Sequence, residues 1–223
     1  VRDTVFELDR IGVDYPTPAG TVTGLHDVTI AVPRSGITVF AGPSGSGKST
    51  LLRVLGLFER PARGTLRFDG TDTGPLRHPA RRALRRDHLG LVFQNPPENL
   101  LDYLNVADNL RAAAQSARRR CEPEEILSRL GLAGTGSWHI SALSGGQQQR
   151  LAFGCALARG SSVILADEPT SQLDEVSADL VLETLRYLAE HGFAVLVASH
   201  DDRLIELGTR IARLRDGRLE GVE

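Results

Sequence analysis

Gly42-Pro43-Ser44-Gly45-Ser46-Gly47-Lys48-Ser49-Thr50 fits the pattern G-x-x-x-x-G-K-[ST] of a phosphate-cradling loop. The flanks supply the context that this pattern needs: Ile37-Thr38-Val39-Phe40-Ala41 reads as a strand, and Leu51-Leu52-Arg53-Val54-Leu55 continues as a helix. The glycines let the backbone curl so that successive N–H groups point inward at phosphate oxygens, and the helix start adds unpaired N–H groups and the positive end of its dipole. Lys48 is then expected to neutralise the β- and γ-phosphates, and the Ser49 hydroxyl to ligate Mg²⁺. The plainer alternative, a glycine-rich turn that binds nothing, does not explain a strand and a helix placed on either side.

A chain of 223 residues has room for one large α/β domain, or one domain with a smaller inserted lobe. A hydrophobic fraction of 41% and a charged fraction of 24% suit an ordinary water-soluble fold. The formal net charge of −2 provides no global attraction to nucleic acid. Two cysteines, Cys121 and Cys155, are too few for a disulfide framework and read as idle thiols in a reducing compartment. No run approaches the roughly 18 to 20 apolar residues that span a bilayer, and no charged-then-apolar leader opens the sequence. Any work at a membrane is therefore expected to need a separate anchor.

Elsewhere the sequence adds further candidate groups. Residues 1–36 alternate apolar and polar positions (Val5, Leu8, Ile11, Val13; Val28, Ile30, Val32) around a turn at residues 16–20, which predicts antiparallel strands with one solvated face. Tyr15 at that turn either stacks on a flat base or covers a sheet edge. Gly64 to Gly70 predicts a short strand ending in an Asp-Gly turn. Arg77, Arg81, Arg82, Arg85 and Arg86 read as a solvated helix face, with a phosphate or partner contact as the alternative. The continuous apolar run Leu89–Phe93 predicts a central strand of a parallel sheet, delivering Gln94 at the edge where ligand groups collect. Residues 95–136 change character and predict helices over 109–120 and 124–130, a small helical lobe.

Leu143-Ser144-Gly145-Gly146-Gln147 opens a helix and exposes a second set of backbone N–H groups, suited to an anion or to no more than a helix cap. Val163-Ile164-Leu165-Ala166 predicts a buried strand ending in two acids, Asp167 and Glu168. One acid can help to hold Mg²⁺ while the next orients or deprotonates a water. Residues 175–190 predict an amphipathic helix and Ala194–Ala198 another buried strand, followed by Ser199-His200-Asp201. A lone histidine is more often structural; His200 shares its sheet edge with Gln94 and Glu168, which favours a functional role. The tail from Ile211 to Leu219, with an Asp216-Gly217 turn, reads as a closing hairpin.

Together these motifs resemble the nucleotide-binding domain of ATP-binding-cassette (ABC) proteins over nearly the whole chain. They stand in that family's order: an aromatic loop at Tyr15, Walker A from Gly42 to Thr50, a Q-loop at Gln94, the Leu143–Gln147 signature, Walker B ending in Asp167 and Glu168, Ser171-Gln172-Leu173-Asp174 after it, and a switch histidine at His200. The resemblance implies an α/β fold, a P-loop NTPase core with a mostly parallel sheet, an antiparallel β subdomain and an inserted α-helical lobe. It divides a single domain into an α/β core at 1–94 and 143–223 and a lobe at about 95–142. It implies ATP and Mg²⁺ as cofactors, with Tyr15 and residues 42–50 (Gly42, Pro43, Ser44, Gly45, Ser46, Gly47, Lys48, Ser49, Thr50) binding the nucleotide. Ser49, Gln94 and Asp167 would hold the metal; Glu168 is the implied base, His200 a γ-phosphate sensor, and Lys48 and Gln94 complete the catalytic set. Ser144, Gly145, Gly146, Gln147 and Asp174 would face ATP held by a second subunit, so the implied active unit is a dimer with two ATP molecules between facing surfaces.

Gln172, Gly154-Cys155 and Ile140 depart from common residues of the family, and none belongs to the phosphate-binding motifs. The run Phe93–Val106, with Ser144–Arg150 and Leu165–Thr170, is similar to stand-alone ATPase subunits of the macrolide-export and lipoprotein-release group. The resemblance thus implies an ATPase subunit, peripheral on the cytoplasmic face of a membrane, which drives a transmembrane permease and binds no nucleic acid. The alternative is a soluble ABC ATPase acting on ribosomes or DNA, against which stand the single cassette and the lack of a heptad run. A phosphate-loop kinase would leave the signature unexplained.

Overall fold

The computed structural model describes residues 3–18 and 20–223. The chain opens with a long antiparallel ribbon, β1 (Thr4–Thr17) and β2 (Gly20–Pro33), in which Tyr15 pairs with Val22. Ala19, within the expected turn at residues 16–20, lies outside the described residues. The ribbon joins β4 (Arg63–Phe68) and β5 (Thr71–Asp72) in a four-stranded antiparallel sheet of order β2-β1-β4-β5. The second sheet holds β3 (Gly36–Ala41), β6 (Leu89–Val92), β7 (Val163–Asp167), β8 (Ala194–Ser199), β9 (Arg210–Arg215) and β10 (Arg218–Val222) in the order β10-β9-β3-β8-β7-β6. Its four inner pairings are parallel, and the β9–β10 hairpin closes one end.

The apolar runs of this sheet are continuous because both faces are covered. Phe40, Val163, Leu165, Leu196 and Ala198 belong to a core shared with the antiparallel sheet and with α1 (Lys48–Leu55). Their neighbours Val39, Ile164, Ala166, Val195 and Val197 belong to a second core, under α5 (Gly145–Ala158), α6 (Glu175–Glu190) and α7 (Asp202–Leu207). Successive side chains on a strand point to opposite faces, so strict alternation of core membership is what a doubly covered strand requires.

Between β6 and β7 the chain is helical. α3 (Val106–Ser116) and α4 (Pro123–Arg129), with 3₁₀ turns at Pro96–Asn99 and Ile140–Ala142, build a third apolar cluster from Val106, Leu110, Leu127 and Leu132. Leu151 and Ala158 of α5 complete that cluster, so one helix serves both the helical region and the sheet. α3 stops at Ser116, short of the expected Arg120, where Arg118 takes a positive φ of 59°. Cys121 and Cys155 are free, partly buried thiols beside this cluster, and burial pushes Cys155 up to about 12.

Two expectations are corrected. Among the described residues β6 is the edge strand of its sheet, paired with β7 alone; its apolar run reflects cover on its two faces, not a neighbour on each side. The arginine-rich segment does form a helix, α2 (His78–His88), but that helix turns part of its basic face inward. Arg81 is 3% exposed and donates to the carbonyls of Glu59 (2.8 Å) and Thr73 (3.4 Å). Arg85 donates to the Leu57 carbonyl and lies 4.8 Å over the Phe58 ring. Both arginines donate to backbone carbonyls of the turn after α1, Arg81 to Glu59 and Arg85 to Leu57. Burial accordingly lowers the pKa of each, with neighbouring arginines adding to the effect.

Arg81→Ala strips the Glu59 carbonyl of a buried donor and leaves space at the core edge. A loss of about 2 kcal/mol is expected, read as a lower urea midpoint with an unchanged slope. Arg82→Ala, at an exposed neighbour, should stay within about 0.5 kcal/mol of the parent.

Candidate functional site

Three strand ends meet at one edge of the sheet because the register brings them there. Ala41 at the end of β3 pairs with Ser199 at the end of β8, and Ala198 pairs with Asp167 at the end of β7. The phosphate loop, Ser199-His200 and Asp167-Glu168 therefore leave the sheet side by side, at the carboxyl edge where ligands of open α/β sheets bind.

The loop folds as a turn that ends on α1. Gly47 is the residue before α1 and has φ 99°; a β-carbon there would lie 2.7 Å from the Gly24 carbonyl, so both its backbone and its space require glycine. Ser46 is tied to the β9–β10 turn by its carbonyl, which accepts from Gly217 N–H at 3.0 Å. Lys48 is 6% exposed. Its ammonium donates to the carbonyls of Gly42 (2.7 Å) and Pro43 (3.0 Å) and lies 3.5 Å from Glu168 Oε1. A buried cation stands only when such acceptors surround it.

Glu168 is the other pole. Only 13% of its side chain is exposed, and its Oε1 also meets His200 Nδ1 at 2.9 Å while Oε2 accepts from the Ser199 hydroxyl at 3.2 Å. Its φ of 45° turns the backbone after β7, so that Asp167 and Glu168 diverge. Asp167 continues the Val163–Leu165 side of β7 toward α1, where it shares a pocket wall with Ser49. Burial raises the Asp167 pKa, the Ser49 hydroxyl opposes that, Glu168 reinforces it, and Lys48 opposes it again. Asp167 Oδ1 is buried without a hydrogen-bond partner, so a carboxylate oxygen beside a serine hydroxyl has spare capacity for a hard cation.

Lys48 and Glu168 line a cleft of about 660 Å³ with Ser44, Gly45, Gly47, Ser49 and Thr50, whereas Asp167 lines the adjoining pocket that shares Ser49. Tyr15, Gln94 and His200 complete the walls of the cleft. The exposed Gln94 follows β6 and its amide donates to the Ser171 hydroxyl at 3.0 Å, so the loops after β6 and β7 are joined. His200 is 65% exposed at the cleft mouth.

The signature residues lie elsewhere. Ser144 caps α5, its hydroxyl accepting from Gln147 N–H while Gln147 Oε1 accepts from Ser144 N–H at 2.9 Å. Asp174 caps α6 in the same way, accepting from Ser177 N–H at 3.0 Å. The two helix starts touch: a β-carbon on Gly146 would meet Ser177 at 2.6 Å, and one on Gly145 would reach Leu173 at 3.4 Å. Ser144, Gly145, Gln147 and Asp174 form one surface around the buried Gly146, and none of the five lines that cleft.

Several contributors were not legible beforehand. Thr23, His26 and Asp216 also line the cleft, brought there by the ribbon and the closing hairpin. Ser199 is a second partner of Glu168, a role that only the β7–β8 register reveals. Gln149, fully buried, donates to the Phe93 carbonyl at 3.2 Å and so ties α5 to the residue before Gln94. Its polar character inside a helix face that also supplies the apolar core was the available signal.

A mostly parallel sheet with a lysine-bearing phosphate loop and an acid pair at its carboxyl edge defines a phosphate-loop nucleotide hydrolase. Residues 25–171 match the ABC transporter family, and the chain belongs to that family, as one of its ATP-hydrolysing cassettes. It is 37% identical over 220 residues to the macrolide export ATP-binding/permease protein MacB of Salmonella paratyphi A, covering 96% of this chain and 34% of the relative. The MacB protein of Burkholderia thailandensis is likewise 37% identical, over 226 residues. The chain thus spans about a third of the length of these relatives. Among solved structures, the dimeric post-hydrolysis state of the ATP-binding cassette MJ0796 bound to ADP and Pi superposes with a TM-score of 0.85 at 31% identity, covering 98% of this chain and 97% of that one. The cbiO1 structure from Clostridium perfringens, part of the cbiONQ transporter complex, shares the fold with a TM-score of 0.86 at 23% identity over 99% of this chain and 88% of that one.

The raised pKa of Asp167 has a consequence for stability. A carboxyl that holds its proton more tightly when folded costs stability once ionised, at pH values above its folded pKa, and the cost disappears below the ordinary value of 3.8. Without nucleotide or metal, Asp167→Asn should therefore melt a few degrees higher than the parent at pH 7, with the gain vanishing as the pH falls toward 4. Thermal unfolding of both proteins across that range checks it.

Proposed function

We propose that this cassette binds MgATP in the cleft at the carboxyl edge of the sheet, closes against a second cassette to hydrolyse it, and uses the closure to drive a transmembrane permease. The observation that carries this reading is the separation of the two motif sets. Lys48, Glu168 and His200 converge in one cleft, while the start of α5, with the intrahelically unpaired N–H groups of Gly145 and Gly146, lies outside it. A γ-phosphate in the cleft can meet those N–H groups only if they come from another subunit, and intact motifs permit that subunit to be a second copy.

In this reading Lys48 and the N–H groups of residues 42–50 bind the phosphates, and Tyr15 stacks on the base. Ser49, Asp167 and Gln94 hold Mg²⁺, a fit supported by the unpartnered Asp167 oxygen and the all-oxygen donor set. When bound, Mg²⁺ supplies charge neutralisation on the phosphate oxygens. Glu168 is the base that takes the proton of the attacking water. Its carboxylate lies against Lys48 and His200, and phosphate oxygens compete for Lys48, so nucleotide binding leaves Glu168 freer to act. His200 bridges Glu168 and the γ-phosphate at the mouth of the cleft. Asp174, at the start of α6, faces the second subunit.

The permease docks beside Gln94 and the helical lobe, taken as residues 95–142 inserted in a core of 1–94 and 143–223. The edge strand β6 is flanked there by half-exposed Phe58 and Phe93 and by a cleft of about 480 Å³. No helix among the described residues is long and apolar enough to cross a membrane, so the membrane-spanning part belongs to other residues or another chain. We place the cassette on the cytoplasmic face, where ATP is available. The likeness to macrolide export proteins supports a permease partner over ribosome or DNA work.

Glu168→Gln should remove the base yet keep nucleotide binding, so that MgATP shifts the variant from monomer to dimer in size-exclusion chromatography with light scattering, with turnover reduced at least a hundredfold (about 10²). A variant that stays monomeric and turns over at the parent rate would overturn the assignment. Lys48→Ala should instead weaken ATP binding itself by at least about tenfold, since the phosphates lose a charge-assisted partner, as read by titration with a fluorescent ATP analogue.

A further inference from the structure

Tyr15 and Glu59 come from different layers of the fold. Tyr15 sits on β1 in the antiparallel ribbon, and Glu59 sits on the turn that follows α1. Yet the Tyr15 hydroxyl donates to Glu59 Oε2 at 2.8 Å and lies 3.4 Å from the Thr50 hydroxyl, on α1 itself. Glu59 is a firm anchor. Its side chain is 18% exposed, its N–H donates to the Arg53 carbonyl at 3.2 Å, and its own carbonyl accepts from the buried Arg81. Arg53 Nε, 3.7 Å from the same carboxylate oxygen, adds a cation on the outer side.

The ring is confined as well as tethered. Gly24, on the facing strand, leaves the space that the ring occupies; a β-carbon there would sit 2.7 Å from Tyr15 Cε2. Val22, Thr23 and Gly24 line the cleft alongside Tyr15 and continue it past the phosphate loop, where a base attached to phosphates held by Lys48 would lie. Burial raises the Tyr15 pKa, and although the Thr50 hydroxyl opposes this, Glu59 adds to it, so the hydroxyl remains a donor at neutral pH.

We propose that Glu59 is a positioning residue for the nucleobase: its carboxylate fixes the Tyr15 ring relative to α1, so that the stacking surface and the phosphate loop are set at one distance. The inference rests on the reading of this cleft as an ATP site. The physical reason is preorganisation. A tyrosine on a two-stranded ribbon must otherwise be immobilised when the base arrives, which weakens binding by about three- to tenfold. Because the tether acts on the base alone, the loss belongs to ATP and not to its phosphates.

The test uses the purified chain and two probes, ATP and inorganic tripolyphosphate, with binding measured by displacement of a fluorescent nucleotide and turnover followed at varied ATP. Glu59→Ala should raise the ATP dissociation constant and KM about three- to tenfold, with kcat retained and tripolyphosphate affinity unchanged. Glu59→Gln, which keeps an oxygen acceptor, should restore most of the ATP affinity. Tyr15→Phe keeps the ring but removes the donor, so it should match Glu59→Ala, and the double variant should lose no more than either single one. Equal weakening of ATP and tripolyphosphate, additive losses in the double variant, or an unchanged ATP constant in Glu59→Ala would each overturn the proposal. If Glu59→Ala fails to fold, Tyr15→Phe and its double variant with Glu59→Gln read the same bond. A parent protein that binds ATP no better than tripolyphosphate would instead overturn base stacking at Tyr15, and the role of Glu59 with it.

Discussion

A buried ammonium is the constraint on which this structure depends. Lys48 is almost wholly removed from solvent, and removing a cation from water is costly unless acceptors replace the lost hydration. Two loop carbonyls and one carboxylate do so, and they come from two strands that are not neighbours: β3 leads into the loop, and β7 delivers Glu168. β8 lies between them and supplies Ser199 and His200, which hold the same carboxylate from the far side. The stagger of three parallel strands thus decides the distances within the site.

The remaining layers tie other parts of the chain to that centre. The antiparallel ribbon reaches the phosphate helix through Tyr15, Thr50 and Glu59, and reaches the closing hairpin where His26 N–H donates to the Gly217 carbonyl at 2.7 Å. On the opposite side α5 carries the signature at its start and packs the helical cluster and the sheet along its length. Gln149 links it to Phe93, and Gln94 links the next residue to Ser171. The helical region is thus joined to the loops after β6 and β7 by a short series of hydrogen bonds between packed elements.

Much of this was legible before the fold was known. The phosphate loop announced itself because its glycines, lysine and hydroxyl occupy fixed positions within one short segment, and the flanking strand and helix are local too. The strand β7 and its acid pair, the capped start of α5 and the Asp216-Gly217 turn were legible for the same reason. Arg81 was not: an arginine in a basic, proline-bounded segment looks solvated, and only the fold brings the carbonyls of Glu59, 22 residues earlier, and Thr73 to its guanidinium. β6 was misjudged as a central strand because hydrophobicity reports whether the faces of a strand are covered, and says nothing of how many neighbours share its hydrogen bonds.

The sequence by itself determined the candidate chemistry of this protein, since a phosphate-loop pattern, a candidate metal-binding carboxylate and a candidate base each depend on residue type at short spacing. It determined the family for the same reason, through short motifs that stand in a fixed order. Tertiary structure alone decided which of those motifs share a cleft. The β3-β8-β7 register brings Lys48, Glu168 and His200 together from three distant segments, whereas the start of α5 carries Ser144–Gln147 to another surface beside Asp174. It also decided that Tyr15 is held by Glu59, because a hydrogen bond between residues 44 positions apart follows from the packing of two layers and from nothing local in either segment.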